Sequence, residues 1–156
     1  PYYFSATSDA LLALAACSGA DQTGPKPLSL NGSWRQSGDL REAATGDRHI
    51  NLGSFSLAQP GDEFGGTGSQ GIDAICTTAN STRYTGPLAD PTTFDIAGKL
   101  TGRSVSFSPT DALASCEYTG SFVEGRRNRM TGTATCRYTK DNVERVFEGQ
   151  WQADKL

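Results

Sequence analysis

Between Thr92 and Trp151 apolar and polar residues alternate through five successive runs, TTFDIAG, RSVSFS, SCEYTGSFV, RMTGTATCRYT and VERVFEGQW. Alternation with a period of two marks a β-strand with one buried face, because successive side chains leave the backbone on opposite sides. The runs are also in phase with one another. A turn centred on Arg126 sets Phe122 against Met130, Gly120 against Gly132, Tyr118 against Ala134 and Cys116 against Cys136. A turn at Asp141-Asn142 then sets Cys136 against Phe147 and Gly132 against Trp151. Earlier in the chain, pairing Phe94 with Phe107 and Ile96 with Val105 puts a turn near Leu100-Thr101. A slip of one residue in any of these hairpins would turn its apolar face outward, so the three together define an antiparallel meander. Its other face carries Glu117, Thr119, Ser121, Thr131, Thr133, Thr135 and Arg137, a solvent-facing set.

Upstream, LSLNGSWRQSG reads as a first strand and RHINLGSFSLAQ as a second, with a phase slip at Gly53 that implies a bulge. PGDEFGGTGSQG turns into a glycine-rich third strand, and AICTTANSTRYTG is a fourth, broken near Ala79-Asn80. The expected fold is all-β: a small up-and-down antiparallel barrel of about eight strands, in which closure removes exposed edges. TRYTG, CEYTG and CRYTK repeat a tyrosine at one point of three strands. No apolar run reaches the roughly 18 to 20 residues that a membrane-spanning helix needs. The formal charge of −3 does not suggest nucleic acid as a partner.

The N-terminal stretch is of another kind. Ala10 to Ala16 is a short apolar run that ends at Cys17, followed by the polar segment SGADQTGPKP. Leu14-Ala15-Ala16-Cys17 resembles the lipobox of bacterial lipoproteins. The resemblance implies that residues 1–16 are a signal-like segment, that Cys17 is the acylated anchor, and that 17–27 form a flexible tether. It further implies a location on the extracytoplasmic or periplasmic face of a bacterial envelope. The alternative is a short helix packed on the domain. Residues 28–156 are the barrel domain. The remaining cysteines are spaced too widely for a zinc pattern, and the facing pair Cys116 and Cys136 is the expected disulfide, leaving Cys76 buried or free.

LNGSWRQSGD at 30–39 resembles the first strand of the calycins, the lipocalin and avidin-like barrels, which share Gly-x-Trp there. GDEFGGTG, STRYTGPL, YTGSFVEGRRNRMTGTATC and FEGQW are similar to the avidin branch. The resemblance implies a calycin-like barrel with Trp34 capping one end and an arginine of a late strand, Arg145 or Arg137, packed across it. It offers Ser37, Tyr84, Tyr118, Phe122 and Trp151 as candidates to line a ligand site. An avidin-type cavity has several tryptophans, whereas only Trp34 and Trp151 occur here.

Chemistry-bearing motifs are few. Gly66-x-Gly68-x-x-Gly71 matches a dinucleotide fingerprint, but no helical period follows it to receive a phosphate, so it reads as a glycine-rich strand. His49 is the single histidine and reads as a surface residue beside Asp47 and Arg48. No catalytic residue, metal or cofactor is expected, and the chain reads as a non-enzyme. Arg126, Arg127 and Arg129 cluster at a hairpin tip, where focused positive charge suits an acidic partner or lipid headgroups. Two functions follow, with an enzyme of unrecognised site as a further alternative. One is a membrane-tethered accessory subunit docked on a protein partner in a larger envelope complex. The other is a carrier of a small apolar ligand held in the end of the barrel, where Gly98, Gly120, Gly132 and Gly149 leave room among bulky side chains.

Overall fold

A computed structural model describes residues 26–76, 81–83, 92–110, 114–140 and 142–156. Nine strands follow in chain order: β1 Gly32–Glu42, β2 Arg48–Ala58, β3 Glu63–Cys76, β4 Ser81–Arg83, β5 Thr92–Thr101, β6 Ser104–Thr110, β7 Ala114–Phe122, β8 Arg129–Lys140 and β9 Val143–Lys155. The sheet order is β2-β1-β9-β8-β7-β6-β5-β3, and β2 pairs with β3 to close the ring. The result is a closed eight-stranded antiparallel barrel, the architecture that the alternation implied. β4 pairs only with the last residues of β3.

The β7–β8 and β8–β9 hairpins have the expected registers, with Cys116 opposite Cys136 and Gly132 opposite Trp151. The β5–β6 hairpin does not. Leu100 faces Val105 and Gly98 faces Phe107, four residues away in summed register from the expected pairing. The turn sits at Gly102, whose φ of 61° lies in the left-handed region that glycine enters without steric cost. An even shift keeps the same side chains inward, so the core survives the change. The slip expected at Gly53 is also absent. β2 keeps one phase from Asn51 through Leu57, and the irregularity lies opposite it in β3: Ile50 faces Ala74 but Asn51 faces Ile72, leaving Asp73 as the extra residue. β3 is one long strand that takes in the start of the expected fourth strand.

Leu30, Trp34, Leu40, Phe122, Met130, Phe147 and Ala153 are almost completely buried, and Phe55, Leu57, Phe64, Leu100, Val105 and Phe107 join them. Each large side chain so buried contributes roughly 1.5–3 kcal/mol. The four glycines expected to leave room do not. A Cβ on Gly132 would lie 1.9 Å from the Thr119 carbonyl oxygen, because adjoining strands approach closely there. At Gly98 the space is taken by the Phe64 ring and the Phe107 side chain, and at Gly120 by the Trp151 indole. Gly149 resembles Gly132, with the Asp39 carbonyl oxygen 1.9 Å from its would-be Cβ.

The barrel has two unlike ends. At the start of β1, Trp34 donates its indole N–H to the Leu30 carbonyl at 2.8 Å and meets Phe122 edge-on at 6.1 Å. This is the cap that the calycin resemblance implied. The cation across it is not an arginine: Lys155 Nζ lies 5.6 Å from the Trp34 ring. Arg145 lies at the far end of β9, and Arg137 pairs with Glu144 at 3.9 Å. β9 runs from the opposite end toward Trp34, so its last residue, and not its third, reaches the cap.

Candidate functional site

Following the inner faces away from Trp34, the barrel lining turns from apolar to polar. Every second residue of β1 points inward, giving Trp34, Gln36, Gly38, Leu40 and Glu42 in turn. On β2 the inward set running the other way is Leu57, Phe55, Gly53 and Asn51, with half-buried His49 beyond. Gly38 pairs with Asn51 and Leu40 with His49, so these groups share one level of the wall. β8 and β9 add Tyr138, Arg145 and Phe147, and the Cys116–Cys136 disulfide spans β7 and β8 beside them.

At the rim, Arg145 is held by two carboxylates. Its Nε donates to Glu42 Oε1 at 2.9 Å and Nη2 to Asp47 Oδ2 at 2.8 Å, with a second Nη2 bond to Glu42. The Thr45 hydroxyl donates to Glu42 as well. The Arg145 and Thr45 hydrogen bonds hold the Glu42 carboxyl down to about 2, and the hydrogen bonds to Glu42 and Asp47 raise Arg145. The group keeps one excess negative charge. Arg145 also lies 5.3 Å from the centre of the Phe147 ring. His49 stacks on the same ring, with centroids 4.0 Å apart, and Tyr138 meets both edge-on. Burial, followed by the charge of Arg145, lowers the His49 imidazole below its usual range, against the pull of Asp47 and Glu42. His49 is therefore not a surface histidine.

Deeper in the wall, Asn51 is 1% exposed, and neither Nδ2 nor Oδ1 has a hydrogen-bond partner. His49 Nδ1 is in the same condition. An unsatisfied buried polar group costs roughly 1–3 kcal/mol. Beside it the wall is thin, since a Cβ on Gly38 would rest in ordinary contact with Asn51 Cβ and the Gln150 carbonyl oxygen, each at 3.9 Å. Further along, Gln36 Nε2 donates to the Tyr118 hydroxyl at 3.1 Å and to Gln70 Oε1 at 3.4 Å. Burial raises the Tyr118 phenol, while the Gln36 bond opposes the shift. Phe107 stacks on Tyr118 at 4.8 Å and Trp151 meets both rings, forming the floor of this polar region.

The residues named from sequence scatter. Tyr118 faces inward at the site. Trp151 also faces inward, but its indole N–H is occupied by the Thr119 and Thr133 carbonyls at 3.1 Å each. Phe122 belongs to the capped end, against Trp34. Ser37 does not line the interior; it faces outward into a shallow groove with Asp39, Arg48, Thr131 and Thr133. Cys17 and Tyr84 lie outside the described residues, as does the side chain of Cys76. The arginine tip is largely engaged: Arg129 Nε donates to Asp154 at 2.5 Å and Arg127 Nη2 to the Pro27 carbonyl at 2.8 Å, while Arg126 is exposed.

Glu42, Asn51, Gln36 and Gln70 did not stand out from sequence, and His49 and Arg145 were expected elsewhere, on the surface and across Trp34. Counting back by twos from Phe55 would have turned Asn51 and His49 inward. The slip assumed at Gly53 hid them. Among the described residues no group of three or more His, Cys, Asp or Glu side chains could hold a metal ion.

No protein-family model and no curated protein matches this sequence. Among solved structures, an S-type phycobiliprotein lyase from Guillardia theta matches with a TM-score of 0.48 and 7% identity, over 81% of this chain and 88% of that chain. At that similarity it carries no argument about what this chain does. The expectation that the chain is not an enzyme is nonetheless corrected here. The matched protein is described as a lyase, and the lack of a recognised catalytic motif in this sequence excludes no activity, so that expectation is withdrawn.

Proposed function

We propose that this protein binds a small molecule at the polar end of its barrel, between the Glu42–Arg145–Asp47 rim and the Tyr118 level. The observation that carries the reading is Asn51: almost fully buried, without a hydrogen-bond partner among the described residues at either side-chain atom, and set beside a glycine, Gly38, that adds no side chain to the lining. A fold that retains such a group forgoes stability, and sites with that property are where ligands supply the missing partners. The rings of Phe147, His49 and Tyr138 suit an apolar or aromatic body. Docking on a larger complex has less support, because Arg127 and Arg129 are engaged within the chain. The lipobox-like run ending at Cys17 supports a lipid-tethered barrel at a bacterial envelope. Cys17→Ser is expected to move the protein to the soluble fraction, and retention in membranes would remove the tether from this reading.

Native mass spectrometry of the full protein purified without denaturation tests the binding. The expected result is a stoichiometric small-molecule mass that Gly38→Leu abolishes, since a side chain there adds bulk to the lining beside Asn51. A protein free of added mass, or a retained mass unchanged in Gly38→Leu, would overturn the proposal.

A further inference from the structure

Resting on the binding reading above, the chemistry of the ligand can be taken one step further. The Asn51 carboxamide holds a donor and an acceptor side by side in one plane. Both lack partners, so the complementary group must present an acceptor and a donor at the same spacing. A primary carboxamide, a lactam or an imide does so and closes a ring of two hydrogen bonds. A ketone offers only an acceptor, and a carboxylate two acceptors, one of which would face Asn51 Oδ1. Charge gives a second, independent constraint. Arg145, the cation at this rim, is taken up by Glu42 and Asp47, and the rim keeps an excess negative charge that disfavours an anion. The third is shape. His49 and Phe147 stack on each other and Tyr138 stands edge-on to both, so the polar end is lined by ring faces and edges that favour an aromatic body over an aliphatic one.

We infer that the ligand is a neutral, flat, ring-containing molecule that presents an amide-type donor–acceptor edge to Asn51. Naphthalene carboxamide, naphthalene carboxylate and acetylnaphthalene, substituted at the same ring carbon, are matched probes of this idea. Each is titrated into the full chain by calorimetry, with nitrogen-15 NMR following the Asn51 side-chain amide. The carboxamide is expected to bind about tenfold tighter than either of the others, as two net hydrogen bonds supply. It is also expected to shift the Asn51 amide resonance, and Asn51→Leu should bring the carboxamide and the ketone to the same affinity, with the carboxylate still held weaker by the rim charge. If the wild-type protein binds all three alike, as it would were a buried water already satisfying Asn51, the edge recognition is overturned while the binding site stands. A preference for the carboxamide over the ketone that persists in Asn51→Leu overturns it as well. If none of the probes binds and no resonance of the polar end moves, the binding reading falls with it. Should Asn51→Leu fail to fold, the wild-type order of affinities decides alone.

Discussion

The two ends of the barrel are built from the same strands and follow opposite rules. At the capped end Trp34, Leu30, Phe122, Met130 and Ala153 are packed out of solvent. Polar atoms there find partners: the Trp34 indole on Leu30, the Leu30 amide on Gln59, the Lys155 amide on Asn128 and Arg103 on the Phe122 carbonyl. At the other end Asn51 and His49 keep orphaned atoms inside the wall, and a charged triad replaces the apolar plug. One end is assembled to be stable. The other holds groups whose satisfaction must come from elsewhere, and the difference assigns stability and function to opposite ends of one barrel.

The comparison breaks most severely at the cap. Trp34→Ala removes a fully buried indole and its hydrogen bond, and should cost about 3–5 kcal/mol in denaturant unfolding. A loss below about 1 kcal/mol would mean that the cap is not the stabilising end. Next comes the disulfide beside the polar end. Cys116 and Cys136 face each other across β7 and β8 and close a loop with a sequence separation of 20. Replacing both by alanine should cost about 3 kcal/mol in the chain-entropy account. The test is the unfolding midpoint of the oxidised protein against the double variant, and coincident curves would show that the bridge contributes nothing.

The capped end was far more legible in sequence than the polar one, for a physical reason. Apolar alternation around Trp34, Phe122, Met130 and Phe107 is a strong signal because burial alone dictates it. The β7–β8 and β8–β9 registers followed from it. The β5–β6 register did not, because an even shift leaves the inward face intact and only the conformation of Gly102 distinguishes the alternatives. Inward polar residues carry no such signal. His49, Asn51 and Glu42 look like surface positions in a one-dimensional pattern, and they turn inward only once the phase of β1 and β2 is known. Pairing of Glu42 with Arg145, 103 residues apart in the chain, is a product of barrel closure through β1 and β9.

A third substitution sharpens the contrast by changing sign. Asn51→Leu keeps side-chain size and removes two unsatisfied polar atoms from the interior. It should raise stability by about 1–2 kcal/mol, measured by thermal unfolding of ligand-free protein. The same kind of polar-to-apolar swap at a satisfied group, Gln36→Leu, should lower stability, since Tyr118 and Gln70 would lose their partner. Destabilisation by Asn51→Leu would mean that Asn51 is satisfied in solution and that the polar end is as self-sufficient as the cap.

The smallest effect separates the ends by pH. In the folded protein His49 binds its proton less readily than its ordinary value of 6.5, because burial and Arg145 disfavour the imidazolium. The folded state therefore holds fewer protons than the unfolded one just below 6.5, and stability must fall as pH drops through that value. Glu42 acts in a lower window. Its contribution is fully present above its ordinary value of 4.5 and is lost as pH falls toward about 2, because Arg145 and Thr45 hold the ionised form. Melting temperature followed from neutral pH downward should thus show two successive declines, both arising at the polar end. His49→Phe, which keeps a ring against Phe147, should remove the first decline and leave the second, whereas Glu42→Gln should keep the first and shrink the second to the part that Asp39 supplies through its Arg48 pair. A first decline that survives His49→Phe would place its origin away from this end. The titrating groups would then no longer mark the half of the barrel where partners are missing.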